Sequence, residues 1–156
     1  MAGLLPEYVA LLEKLPPLLE ELTRRELRPI TDRASFPTEP GVYVIFEDGM
    51  PLYTGRTRNI RQRISNHTAG RPESSAFAFR LAREATGRVK ATYKPTGSRK
   101  ALMETEDFRA AFAEATMRVR AMSAKCVEVP DILIQHLFEV YAATALKTPY
   151  NDFATH

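Results

Sequence analysis

The stretch GVYVIFEDGMPLYTG, residues 41–55, decides the fold. Two apolar runs flank Asp48-Gly49, the signal of a β-hairpin. The length of the loop sets which side chains share a face. A loop of Asp48 and Gly49 alone places Tyr43 opposite Thr54 and Tyr53 opposite Val44, with the two tyrosines on opposite sides. A loop of Glu47, Asp48 and Gly49, with the glycine left-handed, places Tyr43 directly across from Tyr53. The longer loop also gathers Val42, Val44, Phe46, Met50 and Leu52 on one face and leaves Tyr43, Ile45, Pro51 and Tyr53 on the other. A slip of one residue would mix the two sets, so segregation favours the three-residue loop and a paired set of tyrosines.

Working outward, Thr57 or Asn59 is positioned to cap a helix that runs to about His67, with Ile60 and Ile64 inward and the arginines outward. SSAFAFRLAREATG, residues 74–87, reads as an amphipathic helix closed by Gly87. Val89 to Tyr93 reads as a short strand and Lys100 to Ala113 as a helix. Thr116 to Met122 alternates apolar Met117, Val119 and Ala121 with Arg118 and Arg120, the period of a half-buried strand. After Pro130 comes a helix, DILIQHLFEVYAATAL, with Leu133, Leu137, Val140, Tyr141 and Thr144 along one stripe. Upstream, leucines at helical spacing on both sides of Pro16-Pro17 predict a helical pair or a kinked helix. Pro29, Pro37 and Pro40 then mark a linker. The expected organisation is an N-terminal helical extension, 1–38, followed by a domain over 39–156.

The chain has 156 residues, 44% hydrophobic and 26% charged, which suits one compact domain. No stretch approaches the ~20 apolar residues of a bilayer span, so no membrane partner is expected. Glu7 and Glu13 lie where a signal peptide needs a basic start and an apolar centre, and no export is implied. A single cysteine, Cys126, excludes an intramolecular disulfide framework and a multi-cysteine metal cage. A reducing, cytoplasmic setting is the expectation. The net charge of +3 conceals a strong asymmetry: residues 56–100 hold twelve Lys/Arg against two acids, Glu73 and Glu84. Such a basic segment between acidic flanks is the footprint of a polyanion-binding surface. A solvated arginine-rich helical face is the bland alternative.

GVY at 41–43, YTG at 53–55 and RTRNIRQRISNH at 56–67 together resemble the GIY-YIG nuclease superfamily. In that family the second motif is followed by a helix bearing an arginine and often a histidine one turn later, places held by Arg63 and His67. A later helix with a metal-binding glutamate and a following asparagine is matched by Glu139 and Asn151. Thr54 departs from the usual branched apolar residue of the second motif. The resemblance implies an α/β (α+β) fold, with a small three-stranded, mainly antiparallel sheet flanked by helices and the N-terminal helical pair added. It also implies metal-dependent endonucleolytic cleavage of DNA with Mg²⁺ (or Mn²⁺) as cofactor. By the same resemblance Tyr43 is the general base or orients the attacking water, Tyr53 hydrogen-bonds alongside it, Arg63 and His67 act beside them, Glu139 binds metal, and Asn151 holds Glu139 or a metal-bound water in place.

The residue types suit the chemistry independently. Phosphodiester hydrolysis needs a base for water, positive charge at the nonbridging oxygens and help for the leaving oxygen. Arg63 offers a guanidinium fork, and helical spacing places Asn59, Arg63 and His67 on one face. One carboxylate completed by waters and substrate phosphate is an ordinary Mg²⁺ site. A free phenol has a pKa of about 10, so a basic Tyr43 needs some influence that lowers it. Arg56, Arg58 and Arg61 are expected to hold the nucleic-acid backbone, which positions a substrate without reading its sequence. The rivals are a binding module of the same fold without cleavage, and a restriction endonuclease acting as a dimer. Sequence leaves monomer and homodimer open.

Overall fold

The computed structural model describes residues 3–88, 98–151 and 153. The N-terminal pair forms α1 (Pro6–Leu12) and α2 (Leu15–Arg24), with the prolines in the first turn of α2, where a missing N–H costs nothing. The proline-rich stretch is not structureless. It holds a two-residue strand β1 (Arg28–Pro29) and a 3₁₀ turn at Arg33–Ser35. The hairpin follows as β2 (Gly41–Glu47) and β3 (Met50–Thr57), then helices α3 (Ile60–His67), α4 (Ala76–Ala85), α5 (Arg99–Met103) and α6 (Glu106–Arg120). Strand β4 (Ser123–Glu128) and helix α7 (Ile132–Leu146) complete the order.

The architecture is mixed α/β, with four antiparallel strands among the described residues, in the order β1-β4-β2-β3, instead of the three expected. The additional strand is β1, too short to leave an alternating pattern in sequence. One face of the sheet, through Tyr43, Ile45 and Ala124, packs on apolar side chains of α3, α4, α5 and α6. The other, through Val42, Val44 and Val127, packs on Leu15 and Leu22 of α2 and on Ile134, Phe138 and Ala142 of α7. The N-terminal helices therefore supply part of a core layer. No helix among the described residues is long and apolar enough to cross a membrane.

The hairpin turns at Asp48-Gly49 alone, with φ of 50° and 79°, a type I′ geometry. This corrects the three-residue loop. The extra residue sits further along, because Phe46 pairs with Pro51 whereas Ile45 pairs with Tyr53, which leaves Leu52 as a bulge. The bulge restores the parity that a longer loop would have given. Tyr43 and Tyr53 share a face as expected, but Tyr53 lies opposite Ile45 and Tyr43 lies opposite Gly55. Leu52 changes sides and packs with the Tyr43 cluster.

Residues 116–122 are not a strand. They end α6, whose buried set of Phe108, Phe112, Ala115, Thr116 and Val119 follows helical spacing, and Met117 is left exposed. The strand begins at Ser123. The helix expected from Lys100 is divided into α5 and α6 around Glu104-Thr105. In α7 the buried stripe is Ile134, Phe138 and Ala142, while Leu133 and Val140 face solvent, so the stripe is rotated from the expected one. The proposed strand at Val89 to Tyr93 lies outside the described residues.

Gly55 is fixed by a close approach: a Cβ there would stand 2.3 Å from the Tyr43 hydroxyl. The glycine of the second motif is the seat of the first motif's tyrosine. Gly55→Ala is expected to destabilise the fold by about 1–3 kcal/mol through overpacking, read as a lower urea midpoint. An unchanged midpoint would contradict this packing.

Candidate active site

The site begins with helix α3. Asn59 caps it by accepting a hydrogen bond from the Gln62 amide at 2.9 Å, which fixes where the helix starts and which residues turn inward. Ile60 and Ile64 anchor it in the core, and His67, one turn beyond Arg63, is carried under the hairpin. There Tyr43 Oη and His67 Nε2 share a 2.8 Å hydrogen bond between two fully buried side chains. Tyr53 completes a ring triad, with centroids 6.3 Å from Tyr43 and 5.7 Å from His67. It also stacks on Phe77 of α4 at 5.2 Å.

Burial pushes the Tyr43 phenol far above its ordinary value, Tyr53 adds to the shift and Arg63 opposes it. Among the protein groups around it, lost hydration outweighs the neighbouring Arg63 charge, so these groups alone hold the phenol protonated. His67 is driven the other way, to about 3, by burial and then by the Arg63 charge. It is a neutral imidazole at physiological pH, and its Nδ1 has no partner among the described residues. Burial works against the Arg63 guanidinium, but the two tyrosines beside it hold its pKa above the ordinary arginine value. Arg63 Nη1 also donates to the Ser74 carbonyl at 3.2 Å.

β3, the edge strand of the sheet among the described residues, forms one wall of a cleft of about 250 Å³, whose lining includes Tyr53, Phe77, Arg80, Glu139, Tyr150 and Asn151. Asp131 starts α7 by accepting from the Leu133 and Ile134 amides, and the helix delivers Glu139 to the cleft. Lys147 then adopts a left-handed conformation, φ 54°, and reverses the chain so that Asn151 returns along β3. The Asn151 amide accepts from Thr54 N at 2.8 Å and donates to Thr54 O at 2.7 Å, pairing with the strand as a neighbouring strand would. Thr148 donates to the same Asn151 oxygen at 2.7 Å, and its hydroxyl lies 3.4 Å from that of buried Thr54. The hydroxyl of Thr54 is thus matched by another in place of an apolar contact. Glu139 pairs with Arg56 at 3.2 Å. Burial raises the Glu139 carboxyl above its usual range and Arg56 pulls it back.

Tyr53, Glu139 and Asn151 are therefore together on the cleft wall, with Tyr43 and His67 buried behind Tyr53 and Arg63 interacting with both phenols. Of the expected backbone-binding arginines, Arg56 is tied to the cleft through its ion pair with Glu139 and Arg58 is exposed. Arg61 faces elsewhere, its Nε donating to the Phe36 carbonyl at 2.7 Å. Sequence reading passed over Arg80, which donates to the Tyr150 carbonyl and lies 5.6 Å from the Tyr150 ring centroid. Its place in the basic segment was the available signal, but one arginine on an amphipathic helix looks like any solvated one.

Residues 39–107 match the family model described as the GIY-YIG catalytic domain. By that match this segment is a GIY-YIG domain, as its motifs indicated. It is similar to UvrABC system protein C of Maricaulis maris, 44% identical over 48 residues, which is 30% of this chain and 8% of that protein. The same-named protein of Trichlorobacter lovleyi is 54% identical over 43 residues, 25% of this chain and 7% of the relative. That of Deinococcus radiodurans is 39% identical over 46 residues, 30% and 8%. The matched stretch spans less than a tenth of the length of these relatives. No solved structure matches the chain significantly.

The buried neutral histidine makes stability depend on pH. Its folded pKa near 3 lies below the unfolded 6.5, so between these values the unfolded chain holds a proton that the folded one lacks. Its effect is absent above pH 6.5 and destabilises increasingly as pH falls toward 3. Wild type is expected to lose about 2 kcal/mol more than His67→Gln between pH 7 and 5, at ~1.4 kcal/mol per unit. Urea melts at the two pH values measure this, and equal losses would show His67 to be protonated or solvated in the fold.

Proposed function

We propose that the chain is a metal-dependent endonuclease that hydrolyses phosphodiester bonds in DNA. The observation that carries this reading is the gathering of Tyr53, Glu139 and Asn151 at one cleft, with the Tyr43–His67 pair and Arg63 packed behind. In this reading Tyr53, the phenol on the cleft wall, orients the attacking water. Tyr43 supports it from behind as a protonated phenol locked to His67, a role that its burial favours over that of general base. Arg63 supplies positive charge beside the phenols, and Arg80 and Arg56 are placed to meet a phosphate entering the cleft.

The donor set fits a hard cation. Glu139 presents a partly exposed carboxylate, and no group of three or more His, Cys, Asp or Glu side chains able to hold a metal occurs among the described residues. A single carboxylate completed by waters and substrate phosphate suits Mg²⁺ or Mn²⁺ and does not suit zinc. Such an ion would offset charge on the phosphate oxygens and the leaving group. Asn151 holds the edge of β3, and through it Tyr53, in register with α7.

Supercoiled plasmid incubated with Mg²⁺ is expected to be nicked by wild type and left intact when chelator is added. Glu139→Ala should abolish the nick, and Arg63→Ala should slow it by about 10²–10³, the cost of losing one transition-state donor. Salt-sensitive binding without any nicked product, with or without Mg²⁺, would favour the binding-module reading instead.

A further inference from the structure

A second recess, of about 380 Å³, lies away from the cleft, between the N-terminal segment and the domain, with Arg25, Arg28, Arg61, Lys125, Cys126 and Glu128 in its lining. Four cationic residues meet two carboxylates there, Glu128 and Glu26. Arg28 is held in place by the β1–β4 pairing, opposite Ala124. Arg61 is pinned by its Nε bond to the Phe36 carbonyl, which leaves the terminal nitrogens of the guanidinium outside that bond. The pairs Arg28–Glu26, at 3.3 Å, and Arg25–Glu21 are both exposed and therefore weak, so an incoming anion displaces them at little cost. Lys125 donates to the Thr23 carbonyl and adds charge more than contact. Three guanidinium groups around a recess of this size match the fork geometry that recognises phosphate.

We propose that this recess is a phosphate-binding site that holds a backbone phosphate of a nucleic-acid strand away from the scissile bond. The phosphate chemistry stands on the recess alone, whereas the nucleic-acid source rests on the nuclease reading. Arg61 and Arg63 lie two residues apart on α3, roughly 200° around the helix, so the helix separates this site from the cleft. More than half of the lining comes from residues 25–37, which precede the matched domain. The N-terminal segment thereby extends the basic surface.

Cys126, the single cysteine, reports on occupancy. The whole protein, held in chelator at pH 9 because burial raises the thiol to about 11, is alkylated with N-ethylmaleimide. The probes are a 20-nucleotide single-stranded DNA and inorganic phosphate. The oligonucleotide is expected to slow alkylation at least fivefold in low salt, with protection falling steeply as salt rises. Protection should be lost in Arg25→Ala/Arg28→Ala and kept in Glu139→Ala. If the double variant misfolds by circular dichroism, the salt dependence in wild type still decides. An unchanged alkylation rate while anisotropy shows the oligonucleotide bound would overturn the site, as would protection that survives in a folded double variant. Protection by inorganic phosphate and not by the oligonucleotide would overturn the nucleic-acid source. Protection without any plasmid nicking would count against the nuclease reading alone.

Discussion

The hydrogen bond between Tyr43 and His67 is the constraint on which the other positions depend. Both side chains are fully buried, and a buried hydroxyl or imidazole without a partner costs roughly 1–3 kcal/mol. Each therefore demands the other, and the demand fixes the rotation of α3 against β2. Once α3 is rotated so that His67 meets the phenol, Ile60 and Ile64 are driven into the core and Arg63 comes beside both tyrosines. The same phenol occupies the volume that a side chain at position 55 would need. Two motifs separated by a turn are thus one packing unit, and the spacing between them is set by the bulge at Leu52.

The second half of the site is organised by the edge of β3, which pairs with no further strand among the described residues. An unpaired strand edge offers backbone donors and acceptors to any passing chain. Asn151 occupies this one at Thr54 with a donor and an acceptor, and Thr148 ties the asparagine back to the end of α7. Edge protection and site assembly are the same contact. The α7 helix, which carries Glu139, is held against the strand that carries Tyr53, and their separation is defined by hydrogen bonds as well as by apolar packing.

The sequence made the hairpin, the α3 cap and the shared face of the tyrosines legible, because each rests on a local rule. Asp48-Gly49, Asn59 and the apolar run from Val42 to Phe46 state their structure within a few residues. The failures have a common cause in signals that are not local. The bulge at Leu52 is invisible because a two-residue loop with a bulge and a three-residue loop give the tyrosines the same parity. The α6 terminus carried a genuine alternation at Met117 to Ala121, and it became helix because Phe108, Phe112 and Ala115 behind it bury a continuous stripe. Helix α7 is apolar nearly all round, so its period did not identify the core face. Small Ala142 proved to be inside and large Leu133 outside. Arg80 and the β1 pairing depend on contacts across about 70 and 95 positions, beyond the reach of any pattern.

Charge and burial act in opposite senses on the two sides of Tyr53. Behind it, dehydration keeps Tyr43 and His67 neutral, so this layer holds geometry and carries no charge besides Arg63. In front, Glu139 is only partly dehydrated, and Arg56 offsets what burial takes away. A carboxylate deeper in the core would be protonated and unable to bind a cation, and one at the open surface would be screened by solvent. The intermediate depth follows from the fold. The α7 helix packs through Phe138 into the layer that it shares with α2, and the adjacent Glu139, ~100° around the helix, faces the edge of the sheet. The N-terminal helices, by covering Val42, Val44 and Val127 together with α7, help set that depth although, among the described residues, they contribute none to the cleft lining.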